Sequence, residues 1–183
     1  MLRPLNPLKR FLRRRPSVPG SAEIYGAIVA QARLPSFYRV IGVPDSLEGR
    51  FTVLTLHLFA VLHRLKAEGA AGRGLARDLM DRFSKDMETV LRELGVSDLK
   101  IPKKMRALAG SSLGQLQAYE EALADGSEAL QAAVAAALSL DEDKVEAVSG
   151  RLAAYVEVMV DALKQQSLAA LDEGRVSFPK EAA

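Results

Sequence analysis

Ile41-Gly-Val-Pro-Asp-Ser-Leu-Glu-Gly-Arg-Phe-Thr-Val-Leu-Thr-Leu-His-Leu-Phe-Ala-Val-Leu-His-Arg-Leu65 decides the fold. A Pro-Asp turn opens it, and Asp45 with Glu48 three residues on reads as a capping box for the helix that follows. Phe51, Leu54, Leu58, Val61 and Leu65 recur at three- and four-residue spacing along one seam. Val53, Leu56 and Ala60 make a second apolar face. A helix greasy on two faces has to be enclosed by several neighbours, so this segment is expected to be the central post of a helical bundle.

The flanking sequence supplies those neighbours. A first helix is predicted from about Ala22 to Arg33, ended by Leu34-Pro35 because the residue before proline avoids the helical region. The apolar run Phe37 to Ile41 follows as a short turn. The central helix covers about Ser46 to Lys66 and breaks at Gly69–Gly74. An amphipathic helix then runs from about Leu75 to Leu94 with Leu79, Phe83, Met87 and Leu91 inward, and Gly95 takes the left-handed cap position. Ser97 or Asp98 is expected to cap a helix from about Pro102 to Ala124, whose inner face reads Met105, Leu108, Leu113, Leu116, Tyr119 and Leu123. A short alanine-rich helix follows Asp125-Gly126-Ser127. Asp141 starts the last long helix, which carries Val145, Val148, Leu152, Tyr155, Met159 and Leu163 towards Gly174. No strand pattern appears. The expectation is an all-α single compact bundle of about six helices over residues 21–174, behind a basic, proline-containing arm (1–20) and before a short tail (175–183).

Four segments together resemble a known family. Tyr25-Gly-Ala-Ile-Val-Ala-Gln-Ala-Arg33 and the decisive stretch come first, then Leu91-Arg-Glu-Leu-Gly-Val-Ser-Asp-Leu-Lys-Ile-Pro-Lys-Lys-Met105 and Ala118-Tyr-Glu-Glu-Ala-Leu123. In this order they resemble the ubiquinol–cytochrome c chaperone family. The resemblance implies an assembly factor for respiratory complex III that holds newly made cytochrome b, with a small partner protein as a further expected partner. Where the family pattern has an aromatic pair and Gly-Arg, this chain reads Ser112, Leu113, Gly114 and Gln115. Where the family tends to Val-Gly-Asp, it reads Val96-Ser97-Asp98. No binding role is carried over to those positions.

Composition narrows the chemistry. The 183 residues contain no cysteine, which removes disulfides, thiolate catalysis and sulfur-ligated metals. The two histidines, His57 and His63, lie six residues apart on one helix, about 240° of rotation, so they cannot share a metal. Each reads as a core or boundary imidazole with one hydrogen bond. Asp141-Glu142-Asp143 sits where acids complement a helix N-terminus. Nucleophile elbow, P-loop and dinucleotide fingerprints are all missing. The expectation is a protein that is not an enzyme and takes no cofactor.

Charge points to partners. Arg3, Lys9, Arg10, Arg13, Arg14 and Arg15 give residues 1–22 six cations and no anion; with a net charge of +2, the remaining chain carries −4. Leu2, Leu5, Leu8, Phe11 and Leu12 interleave with them, a layout suited to an anionic membrane. Lys100, Lys103, Lys104 and Arg106 crowd a helix N-terminus, where the macrodipole disfavours cations. They are candidate contacts for a membrane or a partner, set against a solvated patch neutralised by Glu93 and Asp98. Phe37, Tyr38, Met80 and Met87 are the candidate client-facing apolar residues, set against ordinary core packing. No stretch reaches the roughly 18–20 apolar residues that span a bilayer. The expected location is the bacterial cytoplasm at the inner membrane, or the mitochondrial matrix side in a eukaryote. A second functional expectation is a helical adaptor that binds RNA or the ribosome through the same basic patches. DNA is not an expected partner.

Overall fold

Pro44 and Ser46 start the central helix, with a division of labour different from the one expected. In the computed structural model, which describes residues 17–180, the Ser46 hydroxyl is the cap and accepts the Gly49 amide at 3.1 Å. Asp45 is not the capping residue; its carboxylate takes the Arg50 guanidinium at 2.6 Å instead. Ser46 prevails because its extended backbone (φ −111°, ψ 171°) places the hydroxyl over the first-turn amides. The arm cations Arg3, Lys9, Arg10, Arg13, Arg14 and Arg15 lie outside the described residues.

Helices follow in the expected order. They are α1 (Ser21–Ala32), α2 (Pro35–Arg39), α3 (Leu47–Ala67), α4 (Arg73–Glu93), α5 (Ile101–Asp125), α6 (Ser127–Ala136), α7 (Glu142–Lys164) and α8 (Leu168–Asp172). Among the described residues there is no strand, and the protein is all-α. Six of these helices match the expected set. The additions, α2 and α8, are one-turn pieces of five residues each.

Helix α3 is the post. It packs against α1, α4, α5 and α7, and every residue from Thr52 to Val61 except Leu54 is buried. Two threonines survive inside because each hydroxyl finds a carbonyl one turn back, Thr55 on Phe51 at 2.8 Å and Thr52 on Glu48 at 3.0 Å. The Thr52 hydroxyl also lies 2.9 Å from the Ala137 carbonyl, which ties the end of α6 to the post.

Arg64 is the less expected buried group. Only 9% exposed, it donates from Nε to the Leu163 carbonyl (3.1 Å) and from Nη2 to the Gln166 carbonyl (2.8 Å), and it pairs with Glu68 at 2.6 Å. A side chain of α3 thus adds a second donor to the Leu163 carbonyl, which also accepts the Gln166 amide at 3.1 Å, and supplies the donor for the Gln166 carbonyl just beyond α7. The last helix stops at Lys164 rather than continuing to Gly174. Ser167 then caps α8 by accepting the Ala170 amide at 3.2 Å.

Two further caps differ from expectation. Neither Ser97 nor Asp98 caps α5 through its side chain; Lys100 holds the cap position, and Asp98 pairs with Arg92. Gly95 does adopt the left-handed conformation, at φ +77°. On α5, Leu113 is 63% exposed and Ser112 is buried in its place. Leu113 lies five residues after Leu108, about 140° round the helix, whereas Ser112 at four residues stays within about 40° of that face.

The chain ends are held to the body. The Val18 amide donates to Asp78 at 2.6 Å, and Arg77 binds the same carboxyl. Burial alone would raise the Asp78 carboxyl, but the Val18 amide and Arg77 outweigh it and hold it below its ordinary value. Gly20 donates to the Asp172 carbonyl at 2.9 Å, and a Cβ there would collide with the backbone of Gly174.

Candidate functional site

Four helices leave a trough between them on one side of the post. Helix α3 contributes Leu47, Phe51 and Thr52 to it, and α4 contributes Met87, Val90 and Leu91, with its cap residue Leu94. Helix α5 adds Leu108, Gln115, Ala118 and Tyr119, and α6 adds Ala133 and Ala136, with its cap residue Ala137. The groove encloses about 560 Å³ and is lined chiefly by carbon. Its width follows from residue size: the α6 wall is alanine, so helix and post leave space that leucines would have filled. A smaller recess of about 150 Å³ shares Leu47, Phe51, Met87 and Val90 with it and runs on to Tyr38 and Arg50.

The polar groups in the groove are few and mostly engaged. The Gln115 amide donates to the Tyr119 hydroxyl at 2.9 Å. Burial pushes the Tyr119 phenol up, only partly countered by that amide, so it stays neutral. The Glu48 carboxylate is the one charged side chain in the lining, and it is exposed at the margin. Such a surface suits aliphatic side chains of a partner helix or loop laid into it.

The candidate client-facing residues separate on inspection. Met87 lines the groove while only 7% exposed. Tyr38 is half-buried against the smaller recess; its hydroxyl donates to the Ala32 carbonyl at 2.6 Å, and the Arg50 guanidinium stacks on its ring. Met80 is half-buried against the core. Phe37 is not client-facing at all. It is fully buried, set edge-on to His57 (5.3 Å) and Tyr155 (5.1 Å), because α2 turns Phe37, with Ile41 after it, inward while Arg39 and Val40 stay outside.

His57 is buried and makes two hydrogen bonds rather than one. Its Nδ1 is 2.8 Å from the Val53 carbonyl, which can only accept, so Nδ1 carries the proton. Nε2 therefore accepts from the Tyr155 hydroxyl at 3.1 Å, and Gln31 donates to that same hydroxyl at 3.2 Å. Burial lowers the imidazole to about 4, with the Val53 contact opposing only weakly. His63 lies nearer the surface, its Nδ1 2.9 Å from Glu120, which Lys66 also pairs at 2.7 Å. Among the described residues no group of three or more acidic or histidine side chains is arranged to hold a metal.

The basic candidates Lys100, Lys103, Lys104 and Arg106 are all exposed, and none forms an ion pair with a described residue. Asp98, expected to neutralise them, is occupied by Arg92, which also holds Glu88. Groove residues on α6 were invisible as a site because alanine repeats read only as helix. The exposed Leu47 and Leu94 at its margins, flanking buried positions, were the available signal.

None of the described helices is long and apolar enough to cross a membrane. A crystal structure of the Cbp3 homolog from Brucella abortus superimposes with a TM-score of 0.80 and 36% identity, over 94% of this chain and 97% of that one. A ubiquinol-cytochrome-c reductase complex assembly factor 1 from Xenopus laevis is 25% identical over 111 residues, 61% of this chain and 56% of its own length. The Mus musculus protein of the same name is 24% identical over 61% of this chain and 38% of its own length. The chain thus matches only about half, or less, of these longer relatives. The family model for the ubiquinol-cytochrome C chaperones matches residues 39–178, most of the chain, and the protein belongs to that family.

Proposed function

We propose that this protein is a non-enzymatic assembly chaperone for ubiquinol–cytochrome c reductase, holding newly made cytochrome b at the membrane surface. The observation that carries this reading is the 560 Å³ apolar groove, present in a chain of the ubiquinol-cytochrome C chaperone family. A membrane-protein client exposes aliphatic helix faces before its partners and haem arrive. A trough walled by leucine, valine, methionine and alanine shields such a face without forming strong polar bonds, so release stays possible. The groove offers grip and holds no arranged nucleophile or acid–base pair. Unpaired Lys100, Lys103, Lys104 and Arg106, with the arm cations, suit an anionic surface.

Leu91 is half-buried in the groove wall and tests this directly. Leu91→Asp leaves a carboxylate at the rim and is expected to cut co-purification of cytochrome b with the tagged chain by at least about tenfold, while the protein stays folded. Cytochrome b recovered at parental yield with Leu91→Asp, or intact complex III in a deletion strain, refutes the assignment. The second reading, an adaptor for RNA or the ribosome, is favoured by the same unpaired cations. It predicts RNA binding that falls steeply with salt, roughly one counterion per phosphate contact.

A further inference from the structure

The connection from α4 to α5 carries an arrangement that neither folding nor the groove explains. Leu99 is 95% exposed, the most exposed of the large apolar side chains among the described residues. Lys100, Lys103 and Lys104 follow it at i, i+3 and i+4 spacing, on one side of the first turns of α5. From Leu99 to Tyr119 the chain has four cations and no anion. These lysines stand where the helix dipole repels them, and nothing described pairs with them. Of the nearby acids, Glu88 and Asp98 are both taken by Arg92, and Glu93 is exposed without an ion pair to the lysines.

We propose that this corner is a membrane wedge: Leu99 enters the acyl boundary of an anionic bilayer while Lys100, Lys103 and Lys104 hold the headgroup phosphates. The chemistry favours lipid over nucleic acid. An aliphatic side chain at the apex gains nothing against a phosphodiester backbone, and no aromatic ring stands beside it to stack on a base. A bilayer rewards both components together, the leucine by leaving water and the lysines by snorkelling from apolar stems to the phosphate layer. Lysine, a point charge without bidentate geometry, suits a fluid headgroup surface that has no fixed register.

The wedge rests on the membrane-side placement proposed above, and it adds an orientation. Leu94, 57% exposed, belongs to the same connection and also lines the groove. Seating Leu99 in the bilayer therefore holds the Leu94 edge of the groove a few residues from the membrane surface, where a newly inserted client leaves the lipid.

The test uses the full chain with vesicles of phosphatidylcholine containing phosphatidylglycerol, against vesicles of phosphatidylcholine alone. The parent is expected to float with the anionic vesicles. Leu99→Ser, at a solvent-exposed position that leaves the fold intact, is expected to lower partitioning about tenfold, and Leu99→Met to keep it. Lys103→Gln with Lys104→Gln is expected to cost about fivefold per charge. Because the chain has no cysteine, Leu99→Cys takes a single environment-sensitive fluorophore, whose emission is expected to shift to the blue on anionic vesicles. Leu99→Ser partitioning like the parent overturns the wedge, whether the arm or superficial adsorption accounts for the binding. So does fluorophore emission unmoved by vesicles but quenched by added RNA. The vesicles hold no client, so this failure is separate from loss of cytochrome b co-purification.

Discussion

Replacing Arg64 with alanine isolates the device at the end of α7. The side chain is 10% exposed and spans two helices, donating to the Leu163 and Gln166 carbonyls and pairing with Glu68. Truncation strands the Gln166 carbonyl, removes one of two donors from the Leu163 carbonyl, which keeps the Gln166 amide at 3.1 Å, and leaves the Glu68 carboxylate, 31% exposed, without its partner. A charged hydrogen bond is worth about 1.5–3 kcal/mol, and breaking a buried pair about 3–5. Water can reach Gln166 and Glu68 once the guanidinium is gone, so the net loss is expected near the lower figure, about 3 kcal/mol. For a chain of this size that lowers Tm by about 6–12 °C, read by thermal unfolding followed by circular dichroism. Arg64→Lys keeps the charge but not the fork, and is expected to lose about half as much. An Arg64→Ala variant within about 2 °C of the parent refutes the capping argument. A Glu68→Gln variant that costs as much as Arg64→Ala would show that the ion pair, and not the α7 carbonyls, is what Arg64 serves.

Three other perturbations report on separate parts of the fold. The Ser112 hydroxyl is buried without a partner among the described residues, so Ser112→Ala is expected to raise stability by about 1 kcal/mol in denaturant titrations; a loss would reveal a bond the hydroxyl makes. His57 titrates at about 4 folded against 6.5 unfolded. Its contribution is therefore complete above pH 6.5 and lost as pH falls towards 4, about 3 kcal/mol in total. His57→Gln is expected to flatten that window, and an unchanged slope between pH 6.5 and 4 would contradict the burial argument. Gly20→Ala forces a Cβ into the Gly174 backbone and is expected to cost about 3 kcal/mol, detectable as early loss of the α1 and α8 contact in hydrogen exchange.

The central helix was legible because its signal is local and redundant: apolar residues at both helical faces leave no solution but enclosure. The amphipathic α4 and the glycine at position 95 were legible for the same reason, since periodicity and a positive φ are properties of a short segment. Caps were read less well. Asp45, Ser46, Ser97 and Asp98 are all competent capping residues, and the choice among them depends on where Arg50 and Arg92 find carboxylates. In sequence Phe37 stands between Ser36 and Tyr38 in a short segment after a proline, which says nothing of its depth; its neighbours in space are His57 and Tyr155. The groove was not legible at all as a site, since its alanines on α6 and its leucines on α4 lie about forty residues apart.

Composition and periodicity alone determined an all-α chain, its helix order and its central post, because each follows from short-range spacing and from the hydrophobic drive to bury a stripe; the family likeness came separately, from the motifs between Tyr25 and Leu123. Tertiary packing decided how the end of α7 is held, which hydroxyls and imidazoles are buried, and which lysines are left unpaired. Those outcomes depend on contacts between distant segments, where one arginine, Arg64, reaches about a hundred residues along the chain to brace the end of another helix.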